Sequence, residues 1–129
     1  MKKIICAILC LSIVLTGIIG ITAASADTYT TSYTATIHRN GIYCWASKGT
    51  TSVKSGYKRV SVNLKMSVTF ERGAGMSDAG VWYSVSATPD SASGNTNTPA
   101  RSLFVSLNGR NPADLYKSGS ANGTIVYTR

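Results

Sequence analysis

Two side chains in this sequence have the reactivity that nucleophilic catalysis requires, and they lie close together in the chain. His38 is the only histidine, and Cys44 is the only cysteine beyond the first ten residues. Asn40-Gly41 separates two runs of alternating residues, which predicts a hairpin with a two-residue turn that pairs Ile37 with Cys44 and His38 with Tyr43. Because opposed residues share a face and neighbours alternate, this register excludes a Cys–His dyad.

Carboxylates offer a second route to chemistry. Glu71 precedes a glycine-rich loop at residues 72–80 and Asp78 lies within it. A glycosidase pair or a weak calcium site would need these two acids to approach each other. Acids beside such loops are more often solvated loop charges. Histidine and cysteine are too few for a zinc site, and no glycine-rich phosphate motif with a lysine is present. The sequence therefore predicts a protein that is not an enzyme and has no cofactor or metal.

Alternating apolar and polar residues predict strands almost throughout the chain. Six such runs occupy residues 33–38, 42–47, 60–70, 81–88, 101–107 and 124–128, the last of them entered through Asn122-Gly123. The segment 89–99 is polar and bounded by prolines, which predicts a mobile surface loop, and residues 112–117 are the one candidate for a helical turn. Short strands separated by turn signals predict an all-β fold, an antiparallel β-sandwich of about six strands, with a small barrel as the alternative.

The run at residues 60–70 has the clearest alternation. Its apolar members all share one parity, and polar residues occupy the other. This pattern predicts a half-buried strand with one face in the core and one in water. The apolar members, which we expect at the centre of the core, are Val60, Val62, Leu64, Met66, Val68 and Phe70.

The first 26 residues have the organisation of a secretory signal. Lys2 and Lys3 precede an apolar run at residues 4–21, and Ala24-Ser25-Ala26 supplies a small-residue cleavage site. An uncleaved membrane anchor is the alternative, because about 18 apolar residues approach the length that spans a bilayer. We expect cleavage after residue 26, which releases residues 27–129 as a single secreted, extracellular domain.

The expected mature domain retains one cysteine, Cys44. No internal disulfide can therefore form, although small exported domains often depend on disulfides. We expect a buried structural thiol, since free cysteine is among the most buried residue types. A homodimer bridged through Cys44 is the alternative.

Positive charge is concentrated in the first half of this domain. Without Lys2 and Lys3, eleven basic residues face five acidic ones, a net charge of +6. Residues 28–70 contain no acid, whereas Arg39, Lys48, Lys54, Lys58, Arg59 and Lys65 lie there. Such a field attracts anionic partners, but it also serves plain solubility, and the charge by itself favours neither interpretation. The predicted partner is an anionic cell-wall polymer, a cell-wall precursor or a lipid headgroup, and not a specific nucleic acid.

Aromatic residues beside these cations are further candidates for binding. Tyr43 and Trp45 share a face with His38 in the predicted hairpin, and this face is either an exposed cluster or part of the core. Trp82 poses the same question in its strand. Aromatic rings beside cations suit carbohydrate, lipid-interface or protein contacts. The candidate binding residues are accordingly Lys48, Lys54, Lys58, Arg59, Trp45 and Tyr43.

The order of a signal peptide, short strands, a basic loop and then Ala79-Gly80-Val81-Trp82 opening an alternating strand resembles the lactococcin-like small β-sandwich bacteriocins. The resemblance covers about residues 43–107. It implies an exported antibacterial protein that acts at the envelope of neighbouring cells by binding an anionic cell-wall precursor. It implies no individual binding residue.

Three functional classes follow from the sequence. The expected function is that of a secreted, basic, non-enzymatic antibacterial protein. A secreted binding or extracellular-matrix adhesion module is the alternative. A pore-former is a lesser hypothesis, since residues 57–70 exceed the roughly 9–11 residues of a membrane-spanning strand, but soluble sandwiches contain such strands routinely.

Overall fold

The computed structural model of the protein describes residues 27–129, and the predicted signal peptide or membrane anchor lies outside them. In this part of the chain, no helix is long and apolar enough to cross a membrane. Eight strands are present: β1 (Thr28–Thr34), β2 (His38–Asn40), β3 (Tyr43–Lys48), β4 (Arg59–Glu71), β5 (Trp82–Ser86), β6 (Asp90–Asn95), β7 (Leu103–Asn108) and β8 (Leu115–Thr128).

The strands form two antiparallel sheets. The larger sheet has the order β1-β8-β4-β5, with β6 paired to β4 beside β5, and the smaller sheet has the order β2-β3-β7. Hydrophobic side chains from both sheets meet between them in one core. The prediction of an antiparallel β-sandwich is confirmed, with eight strands in place of about six.

The strand β4 is the centre of this core, as its alternation predicts. It pairs with β8 on one side and with β5 and β6 on the other. Its apolar residues are all buried, and Leu64 and Phe70 are among the largest fully buried side chains. The smaller sheet covers them with Cys44, Ala46, Leu103, Val105 and Leu107.

The first predicted strand, residues 33–38, is divided between the sheets. β1 ends at Thr34 in the larger sheet, and β2 begins at His38 in the smaller one. The intervening Ala35 and Ile37 pack against the core as the chain crosses from one sheet to the other. Period-two alternation continues through this crossing because both sheets direct their apolar side chains into the same interior.

The predicted turn at Asn40-Gly41 is wrong by one residue. Asn40 pairs with Tyr43 and His38 pairs with Trp45, so Gly41 and Ile42 form the turn. Gly41 has a φ of 60°, and no residue other than glycine has a positive φ in the described chain. A positive φ at the first turn position alone is typical of a type II′ turn, whereas the expected type I′ turn needs two.

The segment predicted as a mobile loop, residues 89–99, contains the strand β6, so that prediction is wrong. Its residues Ser91, Ala92, Ser93 and Gly94 pair with the first half of β4. These side chains are too small and polar to produce a hydrophobic pattern. The backbone of Gly94 also lies so close to that of Thr98 that a Cβ atom would come within 2.1 Å of the Thr98 carbonyl oxygen.

Two further predictions near the C-terminus are wrong. Residues 112–117 form no helical turn, because a single β-turn, in which the Asp114 N–H donates to the Asn111 carbonyl at 2.9 Å, leads into β8 at Leu115. Asn122-Gly123 is not a turn but lies inside β8, where Tyr33 pairs with Gly123. The Tyr33 hydroxyl crosses this glycine and donates to the Asn63 carbonyl. The Asn63 carbonyl and the Tyr33 hydroxyl therefore occupy the space that a side chain at position 123 would fill.

Candidate binding surface

The six predicted binding residues fall into two groups. Tyr43 and Trp45 lie on the outer face of the smaller sheet, because the intervening Cys44 and the next residue, Ala46, are fully buried. Lys48 has the parity of the buried residues and therefore points to the other side of β3. The structure thus separates the two aromatic residues from the lysines.

Three tyrosines that are distant in sequence meet at one end of the larger sheet. The ring centroids of Tyr29 and Tyr57 are 6.4 Å apart, those of Tyr29 and Tyr127 are 6.0 Å apart, and those of Tyr57 and Tyr127 are 5.9 Å apart. Lys54 places its Nζ atom 3.5 Å from the Tyr29 centroid, and the Arg129 Cζ atom lies 5.2 Å from the Tyr57 centroid. Cations at these distances are attracted by the negative faces of the rings.

A fourth tyrosine continues this arrangement along β1. The Lys48 Nζ atom lies 5.5 Å from the centroid of Tyr33, which is on the same side of β1 as Tyr29. Burial raises the pKa of Tyr33 above its ordinary value, and the Tyr33 hydroxyl donates to the Asn63 carbonyl. We call this set the tyrosine–lysine surface; it consists of Tyr29, Tyr33, Tyr57, Tyr127, Lys48, Lys54 and Arg129.

Lys58 and Arg59 adjoin this surface. Lys58 follows Tyr57 directly, and its backbone N–H donates to the Thr128 carbonyl at 2.8 Å. Arg59 pairs with Thr128 at the start of β4. Both residues are exposed. Four of the predicted basic residues, Lys48, Lys54, Lys58 and Arg59, are therefore on or beside the tyrosine–lysine surface.

Acidic residues do not neutralise most of these cations. Each of the five acids in residues 27–129 forms an ion pair: Asp27 with Arg129, Glu71 with Lys117, Asp78 and Asp114 with Arg72, and Asp90 with Arg101. Seven basic residues have no ion pair within the described chain. They are Arg39, Lys48, Lys54, Lys58, Arg59, Lys65 and Arg110. The net positive charge of the domain rests on these seven.

A separate aromatic ridge lies on the outer face of the smaller sheet. His38 stacks on Trp45 with ring centroids 5.6 Å apart, and Trp45 stacks on Tyr43 at 5.2 Å. Phe104 on the neighbouring β7 has 51% of its surface exposed. The structure thus decides between the two alternatives for this cluster: the small residues face the core and the rings face outward. Trp82 is also exposed, at 64%.

The residues that suggested catalysis are held apart. His38 is exposed whereas Cys44 is fully buried on the other face of the hairpin, as expected despite the shifted register. Burial raises the pKa of the Cys44 thiol, and the nearby Arg39 offsets this only in part. Glu71 pairs with Lys117, and Asp78 pairs with Arg72, so these acids face cations and not each other. Among residues 27–129, no group of three histidines, cysteines or acids is placed to hold a metal ion.

Asp114 is a buried carboxylate that the sequence did not single out. It accepts hydrogen bonds from the Gly73 N–H at 2.7 Å, from the Asn111 N–H at 3.0 Å and from the Tyr83 hydroxyl, and Arg72 lies 3.5 Å away. Burial alone would raise the pKa of Asp114, but these hydrogen bonds and the Arg72 charge outweigh it and hold the pKa below its ordinary value. The carboxylate joins the loop before β8, the loop after β4 and the strand β5, and its contacts are structural.

The tyrosines are the binding-surface residues that sequence reasoning missed. Tyr29 and Tyr33 are four residues apart, a spacing that places both on one face of a strand, and this signal was available. No sequence pattern indicates that Tyr57 and Tyr127 belong to this surface. Only the pairing of β1 with β8 and the course of the loop before β4 bring them to Tyr29.

No protein-family model matches the chain, and no curated protein matches it. Among solved structures, the crystal structure of the infectious bursal disease virus VP2 subviral particle is similar over 81% of this chain, with 14% sequence identity and a TM-score of 0.29. The match covers 33% of the VP2 chain, so the protein spans about a third of that chain's length. A likeness at this TM-score carries no argument about fold or function.

Proposed function

We propose that the protein is exported and acts as a basic, non-enzymatic antibacterial protein that binds an anionic component of the envelope of neighbouring cells. The observation that carries the proposal is the distribution of charge. Every acid in residues 27–129 is in an ion pair, whereas Lys48 and Lys54 lie over tyrosine rings without one. Their positive charge is therefore available to a partner.

The tyrosine–lysine surface has the chemistry to hold phosphate or carboxylate groups. The ammonium groups of Lys48 and Lys54 lie over tyrosine rings, and the side of each ammonium group that faces away from its ring can attract an anion. The hydroxyls of Tyr29, Tyr57 and Tyr127 add neutral donors, whereas that of Tyr33 already donates to the Asn63 carbonyl. A row of such groups along β1 suits a repeating polyanion better than a single small anion. Anionic cell-wall polymers, cell-wall precursors and lipid headgroups all carry the required groups.

The resemblance of Ala79-Gly80-Val81-Trp82 and its surroundings to the lactococcin-like bacteriocins supports the antibacterial half of the proposal. Export, small size and positive charge support it as well. The proposed target is a class of molecules, the polyanions of the bacterial envelope.

A secreted adhesion or matrix-binding module is the second candidate. The aromatic ridge of His38, Trp45 and Tyr43 favours it, because stacked rings with an exposed Phe104 beside them offer an uncharged contact surface. Such a surface suits contacts with protein or carbohydrate. In this case the cations would assist binding without inhibiting growth.

A growth-inhibition assay with two matched triple variants tests the antibacterial proposal. The surface variant carries Lys48→Gln, Lys54→Gln and Lys58→Gln. The matched variant carries Arg39→Gln, Arg110→Gln and Lys117→Gln, which also removes three positive charges, one of them paired with Glu71, but away from the tyrosine–lysine surface. We expect the secreted wild-type protein and the matched variant to inhibit growth of neighbouring strains, and the surface variant to lose inhibition.

The same assay separates the two candidates. Binding to cells without inhibition by the wild-type protein would favour the adhesion module. Equal inhibition by both variants would contradict a role for the tyrosine–lysine surface. Circular dichroism and thermal unfolding of each variant would show that the fold is kept, which matters because Arg39 and Arg110 lie over the rings of Tyr116 and Tyr83.

A further inference from the structure

The strand β1 is the longest edge strand of the sandwich, with seven residues. It pairs only with β8 among the described residues, so its other side is an open edge of the larger sheet. The sequence of this strand, TYTTSYT, contains no charge, proline or glycine. Sheet edges usually carry such features, because unpaired edges are templates for pairing with another chain.

The other edges are short or are blocked by side chains. β2 has three residues and β5 has five. On β7, the outward Phe104 N–H donates to the Asp90 carboxylate at 3.1 Å. On β6, the outward Ser91 carbonyl accepts from the Arg101 guanidinium at 3.2 Å. By contrast, no side chain of the described residues hydrogen-bonds to a backbone group of β1.

The backbone hydrogen bonds at the two ends of β1 show which of its residues face outward. The Ala35 N–H donates to the Ala121 carbonyl, and the Arg129 N–H donates to the Asp27 carbonyl. Both contacts involve odd-numbered residues of the β1 side. In an antiparallel ladder the direction of the backbone groups alternates along the strand. The outward N–H and C=O groups therefore belong to Thr28, Thr30, Ser32 and Thr34.

This outward edge is complementary to itself. The sequence TYTTSYT is nearly the same in both directions, so an antiparallel copy centred on Thr31 opposes Thr28 with Thr34 and Thr30 with Ser32. These are the residues whose backbone groups face outward, so all of them find partners. On the alternate positions Tyr29 opposes Tyr33 of the copy. Threonine pairs and aromatic pairs across strands are both stabilising.

We propose that the protein forms a symmetric homodimer in which β1 pairs antiparallel with β1 of a second copy, centred on Thr31. The larger sheets of the two copies then join into one continuous sheet. The dimer does not depend on Cys44, which is fully buried, and it stands apart from the proposed function. If the proposed function holds, the dimer also brings two tyrosine–lysine surfaces together, because Tyr29 and Tyr33 of each copy flank the shared edge.

Disulfide cross-linking tests the register directly. Opposed residues at a non-hydrogen-bonded antiparallel position have Cα atoms about 4.5 Å apart, within the range that a disulfide spans. Thr31→Cys places the two cysteines at this position. Thr28→Cys is the control, because the two Thr28 residues lie at opposite ends of the paired strands, about 20 Å apart at 3.4 Å per residue. We expect mild oxidation to cross-link most of the Thr31→Cys protein and little of the Thr28→Cys protein.

Sedimentation of the secreted protein provides the second measurement. Wild type is expected to show a concentration-dependent dimer. Thr30→Lys with Ser32→Lys, and Thr30→Glu with Ser32→Glu, should each be monomeric, because like charges oppose each other in the proposed register. An equal mixture of the two charged variants should restore the dimer. A wild type that is monomeric at every soluble concentration, or equal cross-linking of both cysteine variants, would overturn the proposal.

These measurements contain no envelope component, so their failure is distinct from failure of the proposed function. A dimer without growth inhibition would leave the edge pairing intact and remove only its consequence for binding. Growth inhibition by a protein that stays monomeric would contradict the edge pairing and leave the proposed function intact.

Discussion

Replacing Gly123 with alanine should destabilise the protein by about 3 kcal/mol or more, at or above the upper end of the usual cost of overfilling a packed site. A Cβ atom at this position would lie 1.8 Å from the Asn63 carbonyl oxygen and 2.7 Å from the Tyr33 hydroxyl. Backbone cannot move aside as a flexible side chain can. The Tyr33 bond to Asn63 and the neighbouring ladder between β4 and β8 would therefore break together. Chemical denaturation of the variant measures the loss.

Gly49→Ala is the matched control for this substitution. A Cβ atom there meets nothing within 4 Å, and the residue has no positive φ. Its free energy of unfolding should change by less than about 0.5 kcal/mol, as is usual for surface substitutions. If the Gly123→Ala protein were as stable as the Gly49→Ala protein, β4 and β8 could not approach each other as closely at Gly123 as described.

Replacing Asp114 with alanine should lower the thermal midpoint by about 10 °C or more, given the few degrees that each kcal/mol shifts a domain of this size. The change leaves the Gly73 and Asn111 N–H groups and the Tyr83 hydroxyl without their acceptor, and it removes the buried partner of Arg72. Buried donors that lose their acceptors carry the full cost of desolvation. Thermal unfolding by circular dichroism measures the shift.

Asp78→Ala is the control, because Asp78 pairs with the same Arg72 but has 48% of its side chain exposed. Exposed pairs contribute little, so this variant should unfold near the wild-type temperature. The stability of the two variants should also depend differently on pH, because only the Asp78→Ala protein retains Asp114. Since the pKa of Asp114 is lowered in the folded state, its stabilisation is present above the unfolded pKa of about 4 and is lost as pH falls through the folded pKa. Equal midpoints for both variants would contradict the role assigned to Asp114.

The sequence was most informative where a strand has one face in the core and one in water. Alternation placed β4 and its buried residues correctly, because six apolar side chains of one parity leave no second arrangement. It failed at β6, where Ser91, Ala92 and Ser93 are held by backbone pairing and carry no hydrophobic signal. It also failed at Asn122-Gly123, where glycine serves a close approach between strands and not a turn.

The candidate site was only half predictable. The acid-free stretch identified Lys48, Lys54, Lys58 and Arg59, since charge asymmetry is visible in composition. Their tyrosine partners were not predicted, because Tyr57 and Tyr127 reach Tyr29 only through sheet pairing. Proximity in sequence groups Tyr43 and Trp45 with the lysines, but strand alternation places Lys48 on the opposite side of β3 from these two aromatic residues.

Binding of the protein to isolated bacterial cell walls tests the central claim most directly, with the surface variant and the matched variant compared at low and physiological salt. At about 1 kcal/mol for each cation near an anionic surface, loss of three should weaken binding about a hundredfold in the surface variant. The matched variant should bind nearly as well as wild type at low salt, and rising salt should weaken both wild type and the matched variant by screening. Equal weakening in both variants, or no binding of the wild-type protein at low salt, would contradict the claim that the tyrosine–lysine surface is the site of contact.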